Sequence, residues 1–138
     1  MLRKIVGCLS VALASTVPAT GGSAQDDPEL SPSCLQLRRI DRTEVVDTRN
    51  VLFYLNDRTI YQNELPHACA TLADDKPFLY RVTMNQICDS DVITVLERWT
   101  FGFTPTETCM LGDFKLVDKA DVEALKAAAK AAKVGTKR

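Results

Sequence analysis

Four cysteines, Cys34, Cys69, Cys88 and Cys109, constrain this 138-residue chain more than any other feature. They follow an N-terminus with the pattern of an export signal. Arg3 and Lys4 precede a short apolar run, 5–17, and a small-residue stretch, 18–24. That order reads as a secretory signal peptide spanning 1–24, with cleavage expected after Ala24 and after Ala19 as the alternative. The apolar run falls short of the ~20 residues that a spanning helix needs, so no transmembrane segment is expected in the mature chain. Cys8 leaves with the signal. A lipoprotein reading, in which "IVGC" (5–8) makes Cys8 a lipid anchor, fits less well because the apolar run follows Cys8 instead of preceding it. An even number of cysteines in a small exported chain reads as two disulfides. No CxxC pair or zinc-ribbon spacing competes with that reading.

Charge narrows the function classes. The whole chain carries −1, and loss of Arg3 and Lys4 makes the mature form more acidic. That balance excludes the basic footprint of a nucleic-acid binder. Residues 25–33 are acidic, contain Pro28 and Pro32, and read as a disordered leader. A four-cysteine domain is expected over 34–117 and an Ala/Lys-rich helical tail over 118–138.

Within the domain the pattern is of strands. Residues 34–47 begin with Leu35 and Leu37 on one face, then change phase at Ile40, so a bulge or bend is expected near Arg38–Ile40. The run 51–56 is apolar on both parities, as in a strand covered on both faces, and 59–65 completes a hairpin with it. Further strands are expected at 78–83, 91–99 and 109–117, with a Gly/Thr/Pro loop at 100–108. Six short strands argue for an all-β domain, a small antiparallel barrel or curled sheet closed enough to protect its edges. Four cysteines allow three pairings. In an up-and-down meander, strand parity favours Cys34–Cys88 and Cys69–Cys109, since bridged Cα atoms lie within ~7 Å. The tail is a helix that Asp118 caps and Gly135 ends. Its stripe, Val122, Leu125, Ala129 and Ala132, is thin, so the helix is expected outside the core. Lys126, Lys130, Lys133 and Lys137 form a basic face, read chiefly as solvated and secondarily as a contact for anionic lipid or acidic envelope polymer.

Candidate chemistry is sparse. His67 is the only histidine, and Cys69 beside it is expected to be oxidised, which removes a Cys–His pair. His67, Cys69, Asp74 and Asp75 make an incomplete zinc set, and Asp89 with Asp91 an incomplete calcium set. No P-loop, GxGxxG or GxSxG is present. No catalytic residue, metal or cofactor is therefore expected, and His67 reads as a turn residue after Pro66. The candidate binding residues are Trp99, Phe101 and Phe103, beside Arg98, because aromatic and Arg side chains mark interface hot spots. The plainer expectation places Trp99 in the core and the two Phe over a barrel end.

The segments "CLQLRRIDRTEVVD", "VLFYLNDRTIYQNELPHAC", "FLYRVTMNQICDSDVITVLER" and "CMLGDF" resemble a family of small exported bacterial proteins classed as a domain of unknown function (number 6491). The resemblance covers Cys34 to Val117 and includes the positions of the four cysteines. It implies a Gram-negative exported protein with a structural cysteine framework, and it supplies no activity or ligand. The expected function is a non-catalytic periplasmic or envelope binding or structural β-domain, with an envelope or periplasmic protein as the candidate partner. The alternatives are a small carboxylate-dependent hydrolase and an inhibitor of a secreted enzyme presenting the 100–108 segment.

Overall fold

Where the alternation changes phase, the chain changes sheet. Strand β1 (Cys34–Gln36) stops at a single 3₁₀ turn, Leu37–Arg39, and β2 (Ile40–Val45) leaves in a new direction with a further register shift between Ile40 and Arg42. The computed structural model describes residues 31–72, 76–82 and 84–136. The expected signal with Cys8, the leader up to residue 30, and Asp74, Asp75 and Lys137 lie outside them. After β2 come β3 (Asn50–Leu55), β4 (Ile60–Glu64), β5 (Phe78–Tyr80), β6 (Gln86–Cys88), β7 (Val92–Trp99), β8 (Gly102–Met110), β9 (Phe114–Val117) and helix α1 (Lys119–Thr136).

The protein is mostly β, but its strands do not close into one six-stranded barrel. Among the described residues they form three antiparallel sheets, ordered β2-β3-β4-β9, β5-β7-β8 and β1-β6. Two sequence features explain the difference. The 3₁₀ turn detaches β1 from β2 and gives it to β6, a three-residue strand preceded by Met84 and Asn85 at positive φ. The segment expected as a loop, 100–108, is mostly strand β8, and the expected last strand is divided between the end of β8 and β9.

One core lies between the sheets. Val51, Phe53, Leu55, Tyr61 and Phe114 from the four-stranded sheet meet Ile93, Val95 and Cys109 from the three-stranded sheet and Leu35 and Ile87 from the two-stranded one. Phe53 and Phe114 meet edge to face with ring centroids 5.4 Å apart, a favoured aromatic geometry. The opposite parity of β3 is also buried: Leu52, with Tyr54 beside it, packs with Val46 and Ile60 against Val122, Leu125 and Ala129 of α1. The helix is therefore not outside the core. Its stripe is thin, yet alanine lets the helix approach the sheet closely, and the two small residues Val122 and Ala129 are buried. Asp118 and Asp121 cap it reciprocally: Asp121 N–H donates to Asp118 Oδ1 (2.8 Å) and Asp118 N–H to Asp121 Oδ2 (3.2 Å), a capping-box arrangement. Gly135 does not end the helix, which runs on to Thr136.

The disulfides present are Cys34–Cys88 and Cys69–Cys109. This is the pairing that strand parity favours, reached by a different topology. Cys34 and Cys88 face each other directly across β1–β6, with Cα atoms 4.0 Å apart. Cys69, in the corner after β4, reaches across to β8 with Cα atoms 5.9 Å apart.

Candidate functional site: the tip of the β7–β8 hairpin

The longest pairing in the molecule joins β7 to β8, from Val92↔Met110 to Trp99↔Gly102. β7 is rich in β-branched residues, and Ile93 and Val95 bury one face. Thr94 and Leu96 lie two apart, whereas their partners Thr108 and Pro105 lie three apart, so β8 carries a bulge there. The bulge is satisfied locally, since Thr106 Oγ1 donates to the Val95 carbonyl at 3.1 Å. Pro105 within β8 suits an edge strand, which needs no donor on its open side. Thr100 and Phe101 then make the turn. Gly102, at φ +142°, follows them in a conformation that side-chain-bearing residues avoid.

The hairpin extends beyond the core, and that places the aromatic residues. Trp99 is 63% exposed, Phe101 fully exposed and Phe103 52% exposed. Trp99 is not in the core and the Phe pair covers no barrel end, because Ile93 and Val95 already fill the inner face of β7 and the last two rungs have no sheet opposite them. The alternation of β7 puts Arg98 and Phe103 on one face, with Trp99 on the other and Phe101 at the end. Arg98 lies over Phe103, its Cζ 5.4 Å from the ring centroid, a cation–π approach. On the next rung Glu97 pairs with Lys76 at 3.2 Å. Leu79 (56%) and Met110 (54%) add exposed apolar area on the outward face of the same sheet. The sequence named the three aromatic residues but not Gly102, Leu79 or Met110. The signal for Gly102 was a glycine one residue after a two-residue turn between β-branched runs.

The other sequence candidates occupy structural positions. His67 is exposed in the corner after β4. That corner is tied to the β2–β3 turn by Leu65 N–H to Arg49 O and Cys69 N–H to Thr48 O, both 2.7 Å. Cys69, Cys109 and Glu107 lie together, but both sulfurs are bonded to each other and Glu107 Oε2 accepts from Thr71 N–H and Thr71 Oγ1 at 2.8 and 3.0 Å. Asp91 Oδ2 accepts from Cys88 N–H at 2.7 Å, closing the turn before β7. A shallow depression of about 540 Å³ gathers Asp57, Asp118 and Asp121. Asp118 and Asp121 cap α1, and hydrogen bonds from Thr59, then from Arg39, hold Asp57 down at about 2, opposite to the raised pKa of a general acid. The lysine face of α1 is partly engaged, because Lys126 donates to Glu44 at 2.8 Å and the apolar stripe beneath it faces the sheet.

Among the described residues no helix is long and apolar enough to cross a membrane. Comparison of the chain with protein-family models, curated proteins and solved structures finds no match.

Proposed function

We propose that this is an exported, non-catalytic binding domain of the bacterial envelope and that the β7–β8 tip is its binding element. The observation that carries the reading is the joint exposure of Trp99, Phe101 and Phe103 on one hairpin tip. A soluble domain keeps few large apolar side chains together at its surface unless they meet something. The cysteine framework and the family resemblance support the exported setting, and the engagement of Asp57, Asp91, Glu107, Asp118 and Asp121 in caps, turns and hydrogen bonds supports a role other than hydrolysis. The test is capture from an envelope fraction with the immobilised protein. Phe101→Ser should lose most of the captured material, while Leu116→Ser, on β9 in another sheet, should not. Equal capture by Phe101→Ser and the parent would reject the tip as the binding element.

An inhibitor of a secreted enzyme is the second reading, because the turn and first residues of β8 project as an inhibitory loop does. It requires loss of a target's hydrolytic activity on mixing, reversed by the same Phe101→Ser change.

A further inference from the structure

We infer that the surface this tip enters is an anionic phospholipid interface, an inference that rests on the tip being the binding element. Three observations carry it. First, the apolar groups surround the tip. Trp99 lies on one face, Phe103 on the other and Phe101 at the end, each more than half exposed. A tip that is apolar on both faces and at its end suits immersion in a deformable apolar medium. Trp in particular favours the membrane–water boundary, where its ring is apolar and its indole N–H wet.

Second, the charge is of the right sign and in the right place. No Asp or Glu occurs from Arg98 to Thr106. Arg98 makes no ion pair among the described residues, and it sits on the same rung as Phe103. When the aromatic rings enter the acyl boundary, this guanidinium lies at phosphate level, where its planar fork suits a phosphodiester oxygen pair. The first carboxylate encountered, Glu97, is neutralised by Lys76 at 3.2 Å, so the base of the tip does not repel an anionic surface.

Third, the depth fits. The aromatic cap occupies two rungs and the turn, roughly 7 Å at ~3.4 Å per residue, within the ~5–10 Å to which interfacial segments enter a bilayer. The Trp99↔Gly102 rung pairs the strand ends, while the turn amides and the outward backbone groups of the two tip strands stay open, and at headgroup depth these are hydrated. Deeper entry would drive the Glu97–Lys76 rung into hydrocarbon, which the cost of burying charges forbids.

The chain supplies its own reporter, since Trp99 is its only tryptophan. Oxidised protein as isolated from cells is titrated with vesicles of phosphatidylglycerol and phosphatidylcholine. Trp99 emission should shift to the blue and be quenched by bromine placed high on the acyl chains. The apparent partition coefficient should fall in pure phosphatidylcholine and in high salt, and Arg98→Gln should reproduce the salt effect. Phe101→Ser should lower it roughly tenfold or more, the expected effect of one buried Phe, and Leu116→Ser should leave it unchanged. Unshifted emission with phosphatidylglycerol vesicles, or equal partitioning of Phe101→Ser and the parent, overturns the inference. If vesicles fail while Phe101→Ser still abolishes envelope capture, the tip binds a protein: the lipid assignment falls and the binding element stands. If capture is also indifferent to Phe101→Ser, both fall.

Discussion

Gly112 shows how much a single residue without a side chain decides. A Cβ built there would lie 2.0 Å from the Glu64 carbonyl oxygen, a backbone atom that cannot move aside. The close approach lets the fully buried Asn63 side chain bond both backbone groups of Gly112, Nδ2 donating to Gly112 O at 2.5 Å and Oδ1 accepting from Gly112 N–H at 2.9 Å. This pair fixes the turn between β8 and β9 against β4. Gly112→Ala should therefore destabilise by about 3 kcal/mol, from overpacking and a frustrated buried amide. In thermal unfolding the Tm should fall by more than about 10 °C, and an unchanged Tm would show that Glu64 yields. Neither partner was legible as a pair, because Asn63 and Gly112 lie far apart in sequence and nothing local marks their contact.

At the scale of elements, α1 is held by a polar clamp as well as by its apolar stripe. Glu44 on β2 accepts from Lys126 Nζ and from Tyr54 Oη, both at 2.8 Å, and more weakly from Arg42. Arg42 in turn lies 3.5 Å above the Tyr54 ring. Partial burial pushes the Glu44 pKa up, but the bonds from Lys126, Tyr54 and Arg42 together outweigh it and leave it lowered. The bond to Glu44 raises Lys126 against the opposing effect of burial. The lowered Glu44 pKa gives stability that is present above its ordinary value of 4.5 and lost as pH falls through the folded value. The raised Lys126 pKa gives stability present below 10.5 and lost as pH rises beyond its folded value. Both groups are near the surface, so the clamp contributes on the order of 0.5–1 kcal/mol. Glu44→Gln should lower the Tm slightly at pH 7 and reduce the drop between pH 5 and pH 3. Part of that drop should survive, because Asp57 is also held low. Parallel acid limbs in parent and variant would show that Glu44 carries none of it. The helix itself was readable from its cap and its alanine and lysine content. Its docking was not, since a stripe of Val, Leu and Ala finds enough to bury only when a sheet offers a complementary face.

For the whole molecule, the two disulfides divide the work. Cys34–Cys88 closes the small β1–β6 sheet, which has only three residues per strand. Cys69–Cys109 fastens the corner after β4 to β8, across a sequence separation of 40. A loop of that length constrains the unfolded chain by about 4 kcal/mol in the entropic account. Replacing Cys69 and Cys109 together by alanine should lower unfolding free energy by roughly 2–4 kcal/mol in urea titration. Trp99 emission should keep its solvent-exposed position in the native variant, because the tip lies beyond the linked rungs. A red-to-blue shift on making the variant would mean that the hairpin had collapsed onto the opened core.

The sequence by itself determined the mostly-β class, an apolar strand buried on both faces near 51–55, the capped helix and a cysteine set suited to two disulfides, because each rests on local periodicity or composition. Only the tertiary structure decided the rest. Gly102–Met110 became a strand because β7 offered it a row of partners broken only at the bulge, which a Thr/Pro-rich segment does not announce alone. The strand pair β1–β6 stands apart from the two larger sheets because one 3₁₀ turn separates β1 from β2. Trp99, Phe101 and Phe103 are exposed because β7 outruns the core, and how far a strand outruns its core depends on the length of the elements packed against it.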